Sequence, residues 1–187
     1  MSLKLFRSTG YHSILAPGEA RLALHPGWAV AAVGGWVGFV CNVWLWHVML
    51  TGGSGFLPAL ASAVGVAGAT ACLLSVFGWR RTFKLAATFV LLVAALLAGG
   101  AWVNGVPAQA LSDDTFRIAS MLPPWATLFR WQVPTLLVVL GGLPVLWLWN
   151  LQLRRLSGPA QMSVNVWGAI WWGLLAAAGF FALGRLA

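Results

Sequence analysis

The chain has 187 residues and a formal net charge of +8, but only 7% of its residues are charged and 60% are hydrophobic. A soluble domain carries charge on about a quarter of its residues, so this composition indicates an integral membrane protein and excludes an ordinary water-soluble fold. A nucleic-acid-binding protein needs a contiguous basic face. Here the Lys and Arg residues lie in small groups at the ends of apolar runs. This placement is typical of residues that set membrane topology and contact anionic lipid headgroups. The composition therefore argues against a nucleic-acid partner.

The chain begins with a basic tail, residues 1–25, that contains Lys4, Arg7 and Arg21. The apolar run that follows the tail is longer than the core of a signal peptide, and it lacks a cleavage site of small residues. We therefore expect this run to be retained as the first membrane span.

The membrane domain, residues 26–185, contains five apolar runs, each long enough to cross a bilayer at about 20 residues per span. Lipid cannot satisfy free backbone amides and the runs lack the alternation of a barrel strand, so all five are predicted to be helices. The predicted fold class is an all-α, five-helix transmembrane bundle. The predicted spans are Gly27–Leu50, Phe56–Phe77, Phe83–Val103, Trp131–Trp149 and Asn165–Leu183.

The distribution of Lys and Arg predicts the orientation of the bundle. Eight of these residues fall on one side of the predicted bundle, and three fall on the other. The larger set is Lys4, Arg7, Arg21, Arg80, Arg81, Lys84, Arg154 and Arg155, and the smaller set is Arg117, Arg130 and Arg185. By the positive-inside bias, the N-terminus is predicted to be cytoplasmic and the C-terminus periplasmic. A long loop, residues 104–130, then lies on the periplasmic side.

Tryptophan spacing supports the same borders. Trp28 and Trp46 are 18 positions apart, and so are Trp131 and Trp149. At 1.5 Å per residue this spacing is about 27 Å, close to the hydrocarbon thickness at which aromatic belts lie. The 13 tryptophans are therefore interpreted as interface anchors and packing residues, without a cofactor.

Small residues predict how the helices meet. Gly34 and Gly38 are four residues apart in the first span, and Gly65 and Ala69 have the same spacing in the second. This spacing allows helix backbones to approach closely. Gly141, Gly142 and Pro144 of the fourth span are predicted to allow a kink in its helix.

Two polar residues of the first span are candidate site residues. A polar side chain within a span usually faces the bundle, so Asn42 is predicted to bond to a neighbouring helix, with contact to a ligand as the alternative. His47 is predicted to reach the outer headgroup layer. His25 lies near the opposite end of the same helix, about 33 Å from His47, so the two cannot share one haem iron.

The long loop supplies the other candidates, Asp113, Asp114 and Arg117. An anionic lipid group would bind the guanidinium of Arg117, and an ethanolamine cation would bind the carboxylates of Asp113 and Asp114. The alternative is a solvated connecting loop on the membrane surface. The residues predicted to rest on that surface are Met121, Leu122, Trp125, Leu128 and Phe129.

Complete catalytic and metal motifs are missing from the sequence. Asp113 and Asp114 are neighbours, which on a helix point about 100° apart and do not face each other as an acid and base pair must. The sequence contains no Ser/His/Asp constellation, no phosphate-binding glycine loop and no His/Cys metal cluster. We therefore predict no catalytic residue, no metal ligand and no cofactor in this chain.

The sequence resembles the N-terminal five-helix membrane domain of bacterial phosphoethanolamine transferases that modify lipid A. The resemblance covers roughly residues 20–185 and is carried by "HPGWAVAAVGGWVGFVCNVWLWHVML", "FGWRRTFKLAATFVLLVAALLAGGAW" and "LLVVLGGLPVLWLW". Asn42–Trp46 matches an Asn followed by an aromatic end of helix one in the family. Leu140–Pro144 matches the family's Leu-Gly-x-Leu-Pro turn. In the outer loop Asp114 matches a family aspartate, whereas the family's Asn position holds Ile118 and its Glu position holds an apolar residue near Trp125.

The resemblance implies a multi-pass protein of the bacterial inner membrane that takes part in lipopolysaccharide modification. Family enzymes carry zinc and a threonine nucleophile in a periplasmic alkaline-phosphatase-like domain, which moves phosphoethanolamine from phosphatidylethanolamine to lipid A. That domain would follow helix five, where this chain ends, so we expect the chain to bind lipid without catalysing transfer alone. Zinc is then expected only in the catalytic domain, and a separate periplasmic catalytic protein is an implied partner.

Two other functions remain open. One is a small transporter or channel subunit, although no predicted span has a charged residue at its centre, the usual mark of an ion pathway. The other is a truncated remnant of a longer enzyme.

Overall fold

The computed structural model describes residues 23–51, 55–105, 121–154 and 156–186. Span one consists of an α-helix, Pro26–Gly35, a π-helical segment, Trp36–Val40, and a second α-helix, Val43–Thr51. Spans two and three are the α-helices Phe56–Val76 and Arg80–Asn104. Span four contains Gln132–Leu136, the π-helical segment Leu137–Gly142, and Leu143–Asn150. Span five is the α-helix Gly158–Leu186. The short elements are β1, Ala23–Leu24, a 3₁₀ turn, Trp125–Thr127, and β2, Gln152–Leu153.

Spans two to five are each long and apolar enough to cross a membrane, and the two halves of span one pass the same test together, with a 40° bend between them. The protein is therefore mostly helical and has the spans of a multi-pass membrane protein, as predicted. Span five begins at Gly158, seven residues before the predicted Asn165 (165 − 158). The prediction followed the apolar run, whereas the polar first turns of this helix are held by a hydrogen bond from Gln161 to Gly78, just after the end of span two.

Contacts between chain segments place one set of span ends together. β1 pairs with β2 in parallel, which brings the start of span one to the end of span four. Gln161 Nε2 donates to Gly78 O at 2.9 Å, which joins the start of span five to the end of span two. Lys84 Nζ donates to Leu151 O at 2.8 Å, which joins the start of span three to the end of span four.

These ends form what we call the basic face, because Lys84, Arg154 and the backbone of Arg80 and Arg81 lie there. The other span ends form the opposite face, where Gly105 ends span three and Met121 resumes the described chain. Gly105 has φ +59°, a left-handed conformation that glycine adopts without steric cost and that commonly ends a helix. The predicted orientation of these faces in the membrane stays a prediction.

Spans one and two pack through small residues, as predicted. A Cβ at Gly34 would lie 2.9 Å from Ala67 O, and a Cβ at Gly38 would lie 2.5 Å from Ala63 O. Both positions therefore need glycine, because a side chain would push against the backbone of span two. Gly38 lies within the π-helical segment, so this close approach is maintained where span one is irregular.

Spans two and five make the second close helix contact. A Cβ at Gly68 would lie 2.6 Å from Ala176 N, and a Cβ at Gly179 would lie 2.6 Å from Gly65 N. The prediction is confirmed for Gly65. Ala69 is exposed, so Gly68 fills the role predicted for it. Spacing alone does not fix helix rotation, and the actual contact lies one residue earlier.

Candidate functional site

Span one is broken in the half that leads to the opposite face. Cys41 N donates to Trp36 O at 3.0 Å, a bond across five residues that belongs to the π-helical segment. Asn42 Nδ2 donates to Gly38 O at 3.0 Å, and Trp46 Nε1 donates to Phe39 O at 3.2 Å. Side chains thus hydrogen-bond to carbonyls at the bend, where the regular backbone pattern is interrupted.

The structure corrects the predicted partner of Asn42. Its half-buried amide bonds to a carbonyl of span one itself, and not to a neighbouring helix. The reason is the short distance along the helix, because Asn42 lies four residues after Gly38 and its side chain reaches the Gly38 carbonyl where span one is broken.

His47 lies four residues before the end of span one and is exposed. Its predicted contact with the outer headgroup layer stays a prediction. Its ring meets Trp102 of span three edge to face, with ring centroids 5.5 Å apart and an interplanar angle of 78°. On the adjacent side of the helix, Trp46 meets Phe56 of span two at 5.8 Å. The second half of span one is therefore flanked by aromatic rings at the opposite face. The contact between Trp102 and His47 was not predicted from the sequence, because the two residues lie on different spans.

The segment that resumes at Met121 is anchored to this same region. Met121 packs against a cluster formed by Trp44, Leu45 and Ala101, all three of them buried. Asn104 Nδ2 donates to Leu122 O at 3.1 Å. This segment therefore contacts both span three and the second half of span one.

The residues after this anchor expose large aromatic rings. Trp125 and Phe129 are 84% and 91% exposed. Such exposure suits insertion into a headgroup layer. The predicted place of these two residues on the membrane surface stays a prediction. Met121 differs from the prediction because it is packed against the bundle.

Asp113, Asp114 and Arg117 lie outside the described residues. Their predicted part in a headgroup site, together with Asn42 and His47, stays a prediction. Gly105 and Met121, which flank the interval that contains them, both lie at the opposite face. Among the described residues, no three His, Cys, Asp or Glu side chains come together as a metal site would require. The expectation that zinc belongs only to a catalytic domain also stays a prediction.

A second irregular region joins spans one and four. Trp36 Nε1 donates to Leu140 O at 2.9 Å, and the Cys41 thiol lies 3.9 Å from the same carbonyl. In an α-helix the donor to Leu140 O would be the residue four positions later, which is Pro144 and has no N–H. The indole thus supplies a donor across the helix interface. From the sequence, Pro144 indicates that the carbonyl of Leu140 lacks its usual backbone donor. The sequence does not indicate that Trp36 supplies the replacement donor.

Beside this hydrogen bond lies an apolar groove of about 350 Å³. Span one contributes Ala32, Val33 and Trp36 to its walls. Spans three and four contribute Leu91, Leu143, Pro144 and Trp147. The volume falls in the range of small-molecule sites.

Comparison with known proteins finds no relative: no protein-family model, no curated protein and no solved structure matches this chain.

Proposed function

We propose that this protein is a lipid-binding membrane module that holds phosphatidylethanolamine at the opposite face for transfer of phosphoethanolamine to lipid A. In this proposal a periplasmic zinc-dependent protein or domain supplies the nucleophile, and Asn42, His47, Asp113, Asp114 and Arg117 belong to the headgroup site. The membrane is the bacterial inner membrane. The family resemblance stated above motivates the reaction, and the geometry at the opposite face supports the lipid site.

The observation that carries the proposal is the anchoring of Met121 on the second half of span one. Met121 follows Arg117 by four residues and packs against Trp44, three residues before His47. The loop that contains the charged candidates is therefore tied at its end to the helix that carries the polar candidates. A headgroup site requires this proximity between a membrane helix and a polar loop.

The chemistry of these residues suits a zwitterionic headgroup. In the proposal, Arg117 pairs with the phosphate, because a guanidinium forms strong charge-assisted hydrogen bonds to phosphate oxygens. The two aspartates pair with the ammonium group. The rings of His47 and Trp102 offer a further apolar and π-electron surface beside the cation.

The orientation in the proposal follows from the basic face. Lys84, Arg154 and the paired arginines at the start of span three belong to one side of the described bundle, whereas Arg130 and Arg185 belong to the other. By the positive-inside bias this distribution supports a cytoplasmic basic face and a periplasmic opposite face. Phosphatidylethanolamine would then be taken from the periplasmic leaflet.

The test is binding of radiolabelled phosphatidylethanolamine to the purified full chain and to an Asp113→Ala/Asp114→Ala double variant. We expect the double variant to bind about tenfold more weakly, because a charge-assisted hydrogen bond contributes about 1.5 kcal/mol or more. Glu19→Ala is the matched control, since it removes the one remaining acidic residue, which lies in the N-terminal tail. Equal binding by the double variant and the wild type would remove the headgroup site from the proposal.

A further inference from the structure

The apolar groove lies in the half of the bundle nearer the basic face. Ala32 is six residues after the start of span one, and Trp147 is three residues before the end of span four. Leu143 and Trp147, two of its lining residues, are about half exposed, so the groove opens on the outer surface of the bundle. At this depth that surface meets the hydrocarbon of the membrane. An apolar groove there has no polar partner for water and suits a hydrocarbon chain.

One helix face connects the groove to the basic face. Lys84, Thr88 and Leu91 follow one another at four and three residues along span three, so they lie on the same side of the helix. Thr88 Oγ1 accepts from Trp149 Nε1 at 3.1 Å, which shows that this side faces span four. Lys84 is about 10 Å from Leu91 along the helix axis, at 1.5 Å per residue.

The rim above the groove is positively charged. The Lys84 ammonium donates to Trp149 O at 3.2 Å and lies 5.8 Å from the centre of the Trp149 ring. Arg154 is exposed, and its backbone N–H donates to Leu24 O just before span one begins. The groove is therefore bounded toward the membrane surface by cations.

We propose that this groove binds an acyl chain of an anionic phospholipid, with the lipid phosphate at Lys84 and Arg154. The distance along span three between Leu91 and Lys84 matches the distance from the hydrocarbon to the headgroup layer. One lipid molecule therefore reaches both the groove and the cations Lys84 and Arg154. This lipid belongs to the leaflet at the basic face. The site is thus distinct from the headgroup site at the opposite face and does not rest on the proposed function.

The first test blocks the groove. Native mass spectrometry of the purified full chain with added phosphatidylglycerol is expected to show a retained lipid adduct. Ala32→Phe places a ring in the groove and is expected to reduce the adduct at least fivefold. Ala69→Phe is the matched control, because Ala69 is exposed and lies seven residues before the end of span two, at a similar depth from the basic face. Equal adducts in the two variants would overturn the groove as the lipid site.

The second test removes charge without touching the groove. The wild type is expected to retain phosphatidylglycerol in preference to phosphatidylcholine, and Arg154→Gln is expected to reduce that preference at least threefold. Arg185→Gln removes the same charge at the opposite face and should leave the preference unchanged. Equal retention of both lipids by the wild type, or an unchanged preference in Arg154→Gln, would overturn the assignment of an anionic headgroup to this face.

Discussion

At the scale of single residues, glycine decides where the backbones of spans one and two touch. A Cβ at Gly38 would lie 2.5 Å from both Ala63 O and the Ala67 Cβ, whereas a Cβ at Gly35 would have nothing within 4 Å. The two glycines are three positions apart in the same span but face different surroundings. The hydrophobic effect does little to drive helices together inside a membrane, so close packing of this kind is a main contribution to helix association.

Gly38→Ala is predicted to destabilise the protein by about 1–3 kcal/mol, because the added methyl group forces spans one and two apart. Gly35→Ala adds the same methyl group in open space, so we expect no loss and a gain of up to about 1 kcal/mol from helix propensity. The measurement is the free energy of unfolding in mixed micelles titrated with dodecyl sulfate. A loss in Gly35→Ala equal to that in Gly38→Ala would contradict the close contact.

At the scale of helices, the irregular segments of spans one and four are coupled. Each span changes to π-helical geometry near its middle, and Trp36 of one segment bonds to Leu140 of the other. A lost N–H at Pro144 explains why a carbonyl of span four is open to a donor from span one. π-helical segments often occur at functional sites. The segment of span one borders the proposed lipid groove through Trp36.

Trp36→Phe is predicted to destabilise the protein in the wild-type background, because it leaves Leu140 O without its indole donor. The cost should shrink in a Pro144→Ala background, since an alanine there restores an N–H four residues after Leu140. Interhelical hydrogen bonds in membranes contribute about 0.6 kcal/mol on average and up to about 1.7, which sets the expected coupling energy. Unfolding free energies of the two single variants and the double variant measure it. Strictly additive costs would show that Pro144 plays no part in this bond.

At the scale of the whole molecule, contacts gather one set of span ends at the basic face. The pairing of β1 with β2, the Gln161 contact to Gly78 and the Lys84 contact to Leu151 place the ends of different spans on the same side. These contacts fix which ends share a side. The positive-inside bias then predicts which side is cytoplasmic.

A reporter fused after Ala187 is predicted to lie in the periplasm. Alkaline phosphatase, which matures only after export, should be active there, and a fluorescent protein that matures only in the cytoplasm should be dark. The same reporters inserted after Arg155 should give the reverse result, because spans four and five meet at the basic face. Cytoplasmic fluorescence from the fusion after Ala187 would contradict the predicted orientation.

The candidate site was predictable only in part. The sequence placed His47 near the end of span one, because its position along the helix follows from the length of the apolar run. It did not place Trp102 beside His47, since those residues are 55 positions apart (102 − 47) and lie on different spans. It also assigned Asn42 to a neighbouring helix, because hydropathy does not reveal a break that lets the side chain bond to its own helix.

The sequence by itself predicted five spans and their approximate ends, because a helix must bury about 20 apolar residues to cross a bilayer. The structure has four such helices and a bent pair that passes the same test together. The sequence also indicated close packing at Gly34, Gly38 and Gly65. Only the tertiary structure decided that Gly68 and not Ala69 meets span five, that Trp36 bonds to Leu140, and that an apolar groove lies below a basic rim. The physical reason is that hydropathy fixes a helix along its length, whereas its rotation and partners depend on packing between distant segments.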